Sequence, residues 1–384
     1  MISSGVNRLP NNKNGDMIGK SAFKKIAVKR LTKTVIPSAG ENMDAYVLYG
    51  PKDLRRERRR EHSPGPGEVL LEVRRVGICG SDVHYYEHFR IGQFVPRAPL
   101  VLGHEFSGDV VAVGDGVTGP SIGDRVTAEP SIECRRCAAC REGRYNLCTD
   151  LRFIGTAATI PHIDGAFAER IVVPADHCYL LGPTLDYGAG ALVEPLAVGA
   201  QAVRRAGRVA GCRVLITGGG TIGQMVLAIA TSLGATDVTL ADPAVYPREF
   251  ARAHGATETI DPTEEGIAEA LFASGGYDVV FEASGAPAAL SFAYRVAARG
   301  GRIVQIGTLP ETVRLPANFV MSKELTVYGS FRYAHVYPLV LDAMRSGRVD
   351  LSDLISVVFP YDDMQSAIDR AVSRDRVVKV QVER

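Results

Sequence analysis

The sequence predicts an α/β chain in two parts, an irregular β-barrel and a doubly wound parallel sheet. Three observations carry this. Short apolar runs between glycine and proline turns fill the first half. From about Pro195 onward, strand-like runs alternate with helical ones. A G-x-G-x-x-G at Gly218, Gly220 and Gly223 follows directly on a strand-like run and opens a helical one.

The chain has 384 residues, enough for two domains with cores of their own. Apolar residues make up 46% and charged residues 23%, an ordinary balance for a globular protein. A net charge of +1 offers no field for nucleic acid or a membrane surface. No apolar run reaches the ~18 residues of a membrane span. An apolar signal core is missing from the first residues, so a cytoplasmic protein is expected. Four of the seven cysteines fall between Cys134 and Cys148, and in a reducing compartment such a cluster means metal ligands rather than disulfides.

Residues 1–42 are polar, basic and aperiodic, and are expected to form a disordered leader. Their stretch 22–31 leaves a targeting or membrane-surface segment as the alternative. A strand is expected over 43–49. The charge run 55–62, ending in Ser63-Pro64-Gly65-Pro66-Gly67, reads as a solvated turn. It does not read as a nucleic-acid patch, because its arginines are interleaved with glutamates and lack aromatic neighbours. Alternation predicts a strand over 69–76, and further strands over 110–113 and 125–128 lie between glycine turns. Helical spacing begins over 196–205. Strands over 213–217, 237–241, 279–282, 302–307 and 325–329 then alternate with helices over 224–233 and 287–298, the pattern of a parallel sheet. Helices over 336–345 and 364–373 and strands over 357–360 and 377–382 close the chain.

Three stretches carry chemistry. Cys79-Gly80-Ser81-Asp82 and, further on, Gly103-His104-Glu105 set a thiolate, an imidazole and a carboxylate around two glycine-punctuated turns. These are the ligand types of a zinc site with an open position; a buried thiol beside a satisfied core histidine is the plainer alternative. Cys134, Cys137, Cys140 and Cys148 form C-x2-C-x2-C-x7-C, four thiolates able to close a tetrahedral zinc, with an iron–sulfur cluster or a redox switch as alternatives. Cys178 and Cys212 read as packing residues. In the glycine loop, Gly218 permits the tight turn, Gly220 lets a diphosphate approach and Gly223 lets helix and strand pack. Asp242, at the end of the next strand, suits a ribose diol and repels a 2′-phosphate, which favours NAD over NADP.

Together these stretches resemble the zinc-dependent medium-chain alcohol dehydrogenases, and within them the L-idonate and sorbitol dehydrogenase branch, over nearly all of 43–384. The resemblance implies a GroES-like catalytic domain over 43–195 that is completed by 332–384, with an NAD-binding Rossmann domain over 196–331 between them. It implies two zinc ions per subunit. The catalytic ion would be held by Cys79, His104 and Glu105, with Glu194 as a direct or water-mediated partner. The structural ion would be held by the four clustered cysteines. Ser81 and His84 would pass the substrate proton outward. Tyr85, Phe153, Glu194, Arg332 and Tyr333 would face the substrate. Thr221, Ile222, Ile306, Gly307 and Arg332 would join Gly218, Gly220, Gly223 and Asp242 around NAD, with NADP possible. A homo-oligomer, dimer or tetramer, is implied. In one departure, Pro247 stands where sorbitol dehydrogenases carry an arginine, and Arg248 is displaced by one.

The runs 150–155 and 161–165 resemble the L-idonate members of that branch, which implies oxidation of a secondary hydroxyl of a small sugar acid, L-idonate at C5 to 5-keto-D-gluconate, whose carboxylate Arg152 or Arg332 could pair. Alternatives are a sorbitol- or xylitol-type polyol dehydrogenase, a threonine dehydrogenase, and a non-catalytic zinc- and NAD-binding sensor.

Overall fold

The computed structural model describes residues 42–384. The leader expected over 1–42 therefore lies outside the described residues, except for Asn42, which opens the first strand. The first part of the chain is built of short strands: β1 (Asn42–Gly50), β2 (Asp53–Arg60), β3 (Glu68–Gly77), β4 (Leu100–Val101), β5 (Glu105–Val113), β6 (Arg125–Ala128), β7 (Ser131–Ile132), β8 (Arg152–Phe153), β9 (Arg170–Pro174) and β10 (Cys178–Leu180). Two helices interrupt them, α1 (Gly80–His88) and α2 (Ala138–Arg141). β1 lies between β2 and β4 in a small sheet, and β3 pairs antiparallel with both β5 and β9 in a larger one. Their inward residues, among them Val47, Leu71, Val73, Phe106 and Val126, form one apolar core with Phe167 from the segment before β9.

The charge run corrects the expectation of a turn. Residues 53–60 form β2, paired with β1 from Asn42↔Arg60 to Leu48↔Leu54. An edge strand with both faces near water needs no apolar alternation. Its arginines are instead matched by acids from neighbouring elements: Arg56 to Asp44 at 2.6 Å and to Asp362 at 2.9 Å, and Arg59 to Asp164 at 3.1 Å. The same charges deter pairing at the free edge.

The middle of the chain holds α3 (Tyr187–Ala191), α4 (Val193–Ala206), β11 (Arg213–Thr217), α5 (Thr221–Ser232), β12 (Asp237–Ala241), α6 (Val245–Ala253), β13 (Glu258–Ile260), α7 (Ile267–Ala273), β14 (Tyr277–Glu282), α8 (Pro287–Val296), β15 (Ala297–Gln305), α9 (Asn318–Ser322) and β16 (Thr326–Gly329). The six strands form an all-parallel sheet in the order β13-β12-β11-β14-β15-β16. Val214 and Ile216 face the α4 and α5 side, Leu215 faces α7 and α8, and all three are fully buried. Helices on both faces explain why β11 is uniformly apolar rather than alternating. α6 and α7 are additional to the elements read from sequence, and α5 begins at Thr221, three residues before its apolar spacing does.

α10 (Tyr337–Arg345), β17 (Ile355–Pro360), α11 (Met364–Ser373) and β18 (Lys379–Glu383) follow. β18 pairs antiparallel with β3, and β17 lies parallel beside β18, so the chain returns to the sheet it built first. Among the described residues no helix is long and apolar enough to cross a membrane.

Candidate active site and metal centres

Cys79 is not in a simple turn: it is the N-cap of α1, with extended backbone. Its N–H donates to Asp82 Oδ2 at 2.9 Å, which ties the start of the helix to the thiol-bearing residue. His104 precedes β5 and Glu105 opens it, opposite Gly77 on β3. One ligand atom from each of Cys79, His104 and Glu105 lies within 4.8 Å of the other two. Asp82 is fully buried, and its Oδ1 stands 3.7 Å from His104 Nδ1.

Burial works against a charge on the His104 ring. Even so, Asp82, the Cys79 thiolate and Glu194 together raise its pKa to about 10. The pocket is thus short of positive charge. Ser81 Oγ, Asp82 Oδ1 and His104 Nδ1 are buried there without hydrogen-bond partners. A thiolate, an imidazole and a carboxylate within reach of one point, in a pocket of surplus negative charge, fit a zinc ion.

Glu105 is also bound on its other side. Lys379 Nζ on β18 donates to Glu105 Oε1 at 2.9 Å and to Oε2 at 2.7 Å, and both side chains are about 1% exposed. Sequence reasoning missed this lysine. Glu194 lies in the first turn of α4 and stands outside the 4.8 Å trio. Its Oε1 accepts a hydrogen bond from Tyr333 Oη at 2.8 Å. Burial, offset by the nearby His104 and reinforced by Glu105, pushes its pKa to about 7.

The residues expected to face substrate converge beside this trio. Phe153 packs edge-on against the His104 ring at 5.6 Å. The Arg332 guanidinium lies over the Phe153 ring at 3.9 Å, and among the described residues it has no hydrogen-bond or ion-pair partner. Burial lowers its pKa, while Tyr333, Glu194 and Tyr85 pull the other way. Tyr85 is buried, and its Oη accepts from the Ala157 N–H at 3.2 Å. Arg152 takes the opposite course: it is exposed, while its strand neighbour Phe153 is buried. The alternation of β8 therefore turns it away from the site and removes it as a carboxylate partner. His84 lies one turn beyond Ser81 on α1 and reaches solvent. Partial burial, then the cations of His88 and Arg374, hold its pKa below the usual value.

In the glycine loop, Gly218 has φ +92°. A Cβ on Gly223 would stand 1.8 Å from Gly218 O, whereas one on Gly220 would meet nothing within 4 Å. The first pair needs glycine for packing, and Gly220, the N-cap of α5, leaves open space for a diphosphate. Asp242 braces the loop, its Oδ2 accepting from Gly219 N at 2.7 Å and its Oδ1 from Ala244 N at 2.8 Å. Thr221 Oγ1 donates to Val378 O at 2.6 Å, and Ile222 packs against the core. Ile306 and Gly307 donate their N–H groups to Glu282 O at 2.8 and 3.0 Å and line a cleft of about 930 Å³. Arg248 points to Asp261, 3.1 Å away, and Pro247 lies over Gly219.

The sulfurs of Cys134, Cys137, Cys140 and Cys148 all lie within 4.8 Å of one another. Backbone N–H groups point at them: Cys134 N to Cys148 Sγ at 3.3 Å, Cys137 N to Cys134 Sγ at 3.4 Å and Asp150 N to Cys148 Sγ at 3.4 Å. Backbone hydrogen bonds lower Cys137 to about 6, and desolvation raises Cys140 to about 12. Four convergent sulfurs supported by backbone donors fit a closed zinc site.

Residues 65–183 match the alcohol dehydrogenase GroES-like domain, and residues 221–346 match the zinc-binding dehydrogenase domain. A sorbitol dehydrogenase of Bacillus subtilis is 38% identical over 348 residues, covering 89% of this chain and 97% of that one. The crystal structure of L-idonate 5-dehydrogenase from Escherichia coli superposes with a TM-score of 0.84 at 30% identity, covering 90% of this chain and 99% of that one. A putative zinc-binding dehydrogenase from Sinorhizobium meliloti, solved bound to NADP, gives a TM-score of 0.82 at 34% identity over 90% of this chain and all of that one. The chain belongs to the zinc-dependent medium-chain alcohol dehydrogenase family. It is an oxidoreductase of the polyol and sugar dehydrogenase group within that family, using zinc and a nicotinamide cofactor.

Proposed function

We propose that this chain oxidises a secondary hydroxyl of a sugar acid, L-idonate at C5 to 5-keto-D-gluconate, with Arg332 binding the substrate carboxylate. The observation that carries this is the half-buried Arg332 guanidinium, stacked at 3.9 Å on Phe153 with no ion-pair partner among the described residues. A positive charge partly shielded from water and left unpaired favours an anionic ligand. The second reading is a neutral polyol. It is favoured by the sorbitol dehydrogenase relative and by the Tyr85, Glu194 and Tyr333 groups, which suit a polyhydroxylated substrate.

Zinc at Cys79, His104 and Glu105 would supply a Lewis acid that lowers the pKa of a hydroxyl beside it, and NAD would supply the hydride acceptor. The chain does the rest. Ser81 Oγ, buried and unpaired, takes the hydroxyl proton as it gives up its own, and His84, exposed one turn further on the same helix, takes that proton toward solvent. Tyr333 fixes the orientation of Glu194, and Phe153 excludes water from the His104 side.

The test is kcat/KM for L-idonate and sorbitol with wild type, Arg332→Ala and Arg152→Ala. Loss of a charge-assisted hydrogen bond costs about 1.5–3 kcal/mol, so Arg332→Ala should lose roughly 10- to 150-fold on L-idonate and much less on sorbitol. The exposed Arg152→Ala should match wild type on both. A wild type that prefers sorbitol, or an equal loss on both substrates with Arg332→Ala, transfers the assignment to a polyol dehydrogenase.

A further inference from the structure

The four-cysteine lobe meets the loop carrying Arg332 and Tyr333 along a seam. Asn146 Nδ2 donates to Phe331 O at 2.9 Å, at one end of the loop. The His335 N–H donates to Tyr145 Oη at 2.8 Å, at the other end. Tyr145 and His335 also meet ring to edge at 4.8 Å. Tyr145 is itself fixed from behind, because its hydroxyl donates to buried Glu129 Oε2 at 3.1 Å. Tyr145 and Asn146 belong to the 3₁₀ turn Tyr145–Leu147, which ends directly on Cys148.

The loop between the two anchors needs outside support. Arg332 has φ +49° and His335 φ +56°, left-handed conformations that cost a side-chain-bearing residue free energy and persist only when neighbours fix them. Within that loop Arg332 reaches Phe153 and Tyr333 reaches Glu194.

We propose that the lobe serves to position the substrate loop. Tyr145 and Asn146 are positioning residues that hold Arg332 over Phe153 and Tyr333 against Glu194. The four-sulfur cluster keeps the turn bearing them rigid. The inference rests on the reading of Arg332 as a substrate contact.

The experiment is a double-mutant cycle in the full chain. Asn146→Ala and Tyr145→Phe are made alone and each with Arg332→Ala. KM and kcat are measured on whichever of L-idonate or sorbitol turns over, beside the NADH dissociation constant and zinc content. Each single variant removes one hydrogen bond to the loop and should raise KM about 2- to 10-fold with little change in kcat. NADH affinity and two zinc ions per chain should be retained, which a general loss of folding would not allow. In the Arg332→Ala background the effect should shrink to the part carried by Tyr333, because one of the two positioned groups is gone. Additive losses overturn the proposal, as does a fall in kcat accompanied by loss of zinc in both single variants. If Asn146→Ala alone fails to fold, Tyr145→Phe, which keeps the ring packing, decides the matter. Activity on sorbitol without activity on L-idonate removes the aldonate reading but leaves this cycle readable.

Discussion

The two sulfur-bearing clusters are assembled on different scales. The lobe draws its four ligands from Cys134 to Cys148, one short stretch whose own backbone N–H groups stabilise the sulfurs. The other cluster combines the N-cap of α1 and the start of β5, and its carboxylate is balanced by Lys379, 274 residues further along the chain. The lobe needs little beyond itself, whereas the trio of Cys79, His104 and Glu105 needs segments from both ends of the described chain. Damage to one should therefore leave the other largely intact.

The largest effect expected from that difference concerns metal content. Cys79→Ala should remove one of two zinc ions and lower turnover by about three orders of magnitude, with the lobe's ion retained. Chelation followed by metal analysis should likewise strip the open site before the closed one. Co-removal of both ions would show that the clusters are not independent.

Next comes Lys379. In the metal-free protein, replacing it with alanine leaves Glu105 buried without its partner, a class of change that costs about 3–5 kcal/mol. Urea unfolding should report a loss of that size, and adding Glu105→Gln should recover much of it. An unchanged midpoint in Lys379→Ala would mean that the ion pair contributes nothing to the fold.

Glu129, between the clusters, gives a pH-dependent test. Burial raises its carboxyl from 4.5 to about 7. The folded protein keeps this proton up to about pH 7 while the unfolded chain releases it near 4.5. Folding therefore takes up a proton in that window, and stability falls as pH rises through it. Glu129→Gln should stabilise the protein by on the order of 1–3 kcal/mol at pH 8, a gain that shrinks toward zero by pH 4.5. Denaturation midpoints at the two pH values decide it.

The smallest effect lies on the lobe's outer surface. Arg136 and Asp150 are 3.7 Å apart and largely exposed. Arg136→Ala should change stability by less than about 0.5 kcal/mol and leave zinc content unchanged.

Local patterns were legible in the sequence for the same reason that the lobe is self-contained. The cysteine spacing, the glycine loop and the apolar run of β11 each lie within one short stretch. What escaped depended on contacts between distant segments. β2 was hidden because its partners are the backbone of β1 and the carboxylates of Asp44, Asp164 and Asp362. α1 was hidden because Gly80 suggests a turn, yet Asp82 caps the helix through the Cys79 N–H. Lys379 left one clue, a charged residue set among Val377, Val378 and Val380 in an otherwise apolar strand. A buried charge in such a strand implies an opposite charge opposite it, although sequence alone does not say which.

The long reach of the Glu105–Lys379 pair also constrains biosynthesis. On the ribosome, Cys79, His104 and Glu105 emerge together, while the lysine that neutralises Glu105 follows 274 residues after it. Throughout that interval the half-made site carries uncompensated negative charge and lacks the strand that covers it. The nascent barrel is consequently a poor place to bury these groups, and its final closure must wait until the whole parallel sheet has been synthesised. A message truncated anywhere before β18 would yield a product that is inactive and also carries an exposed, cation-seeking surface, the kind of species that quality control removes.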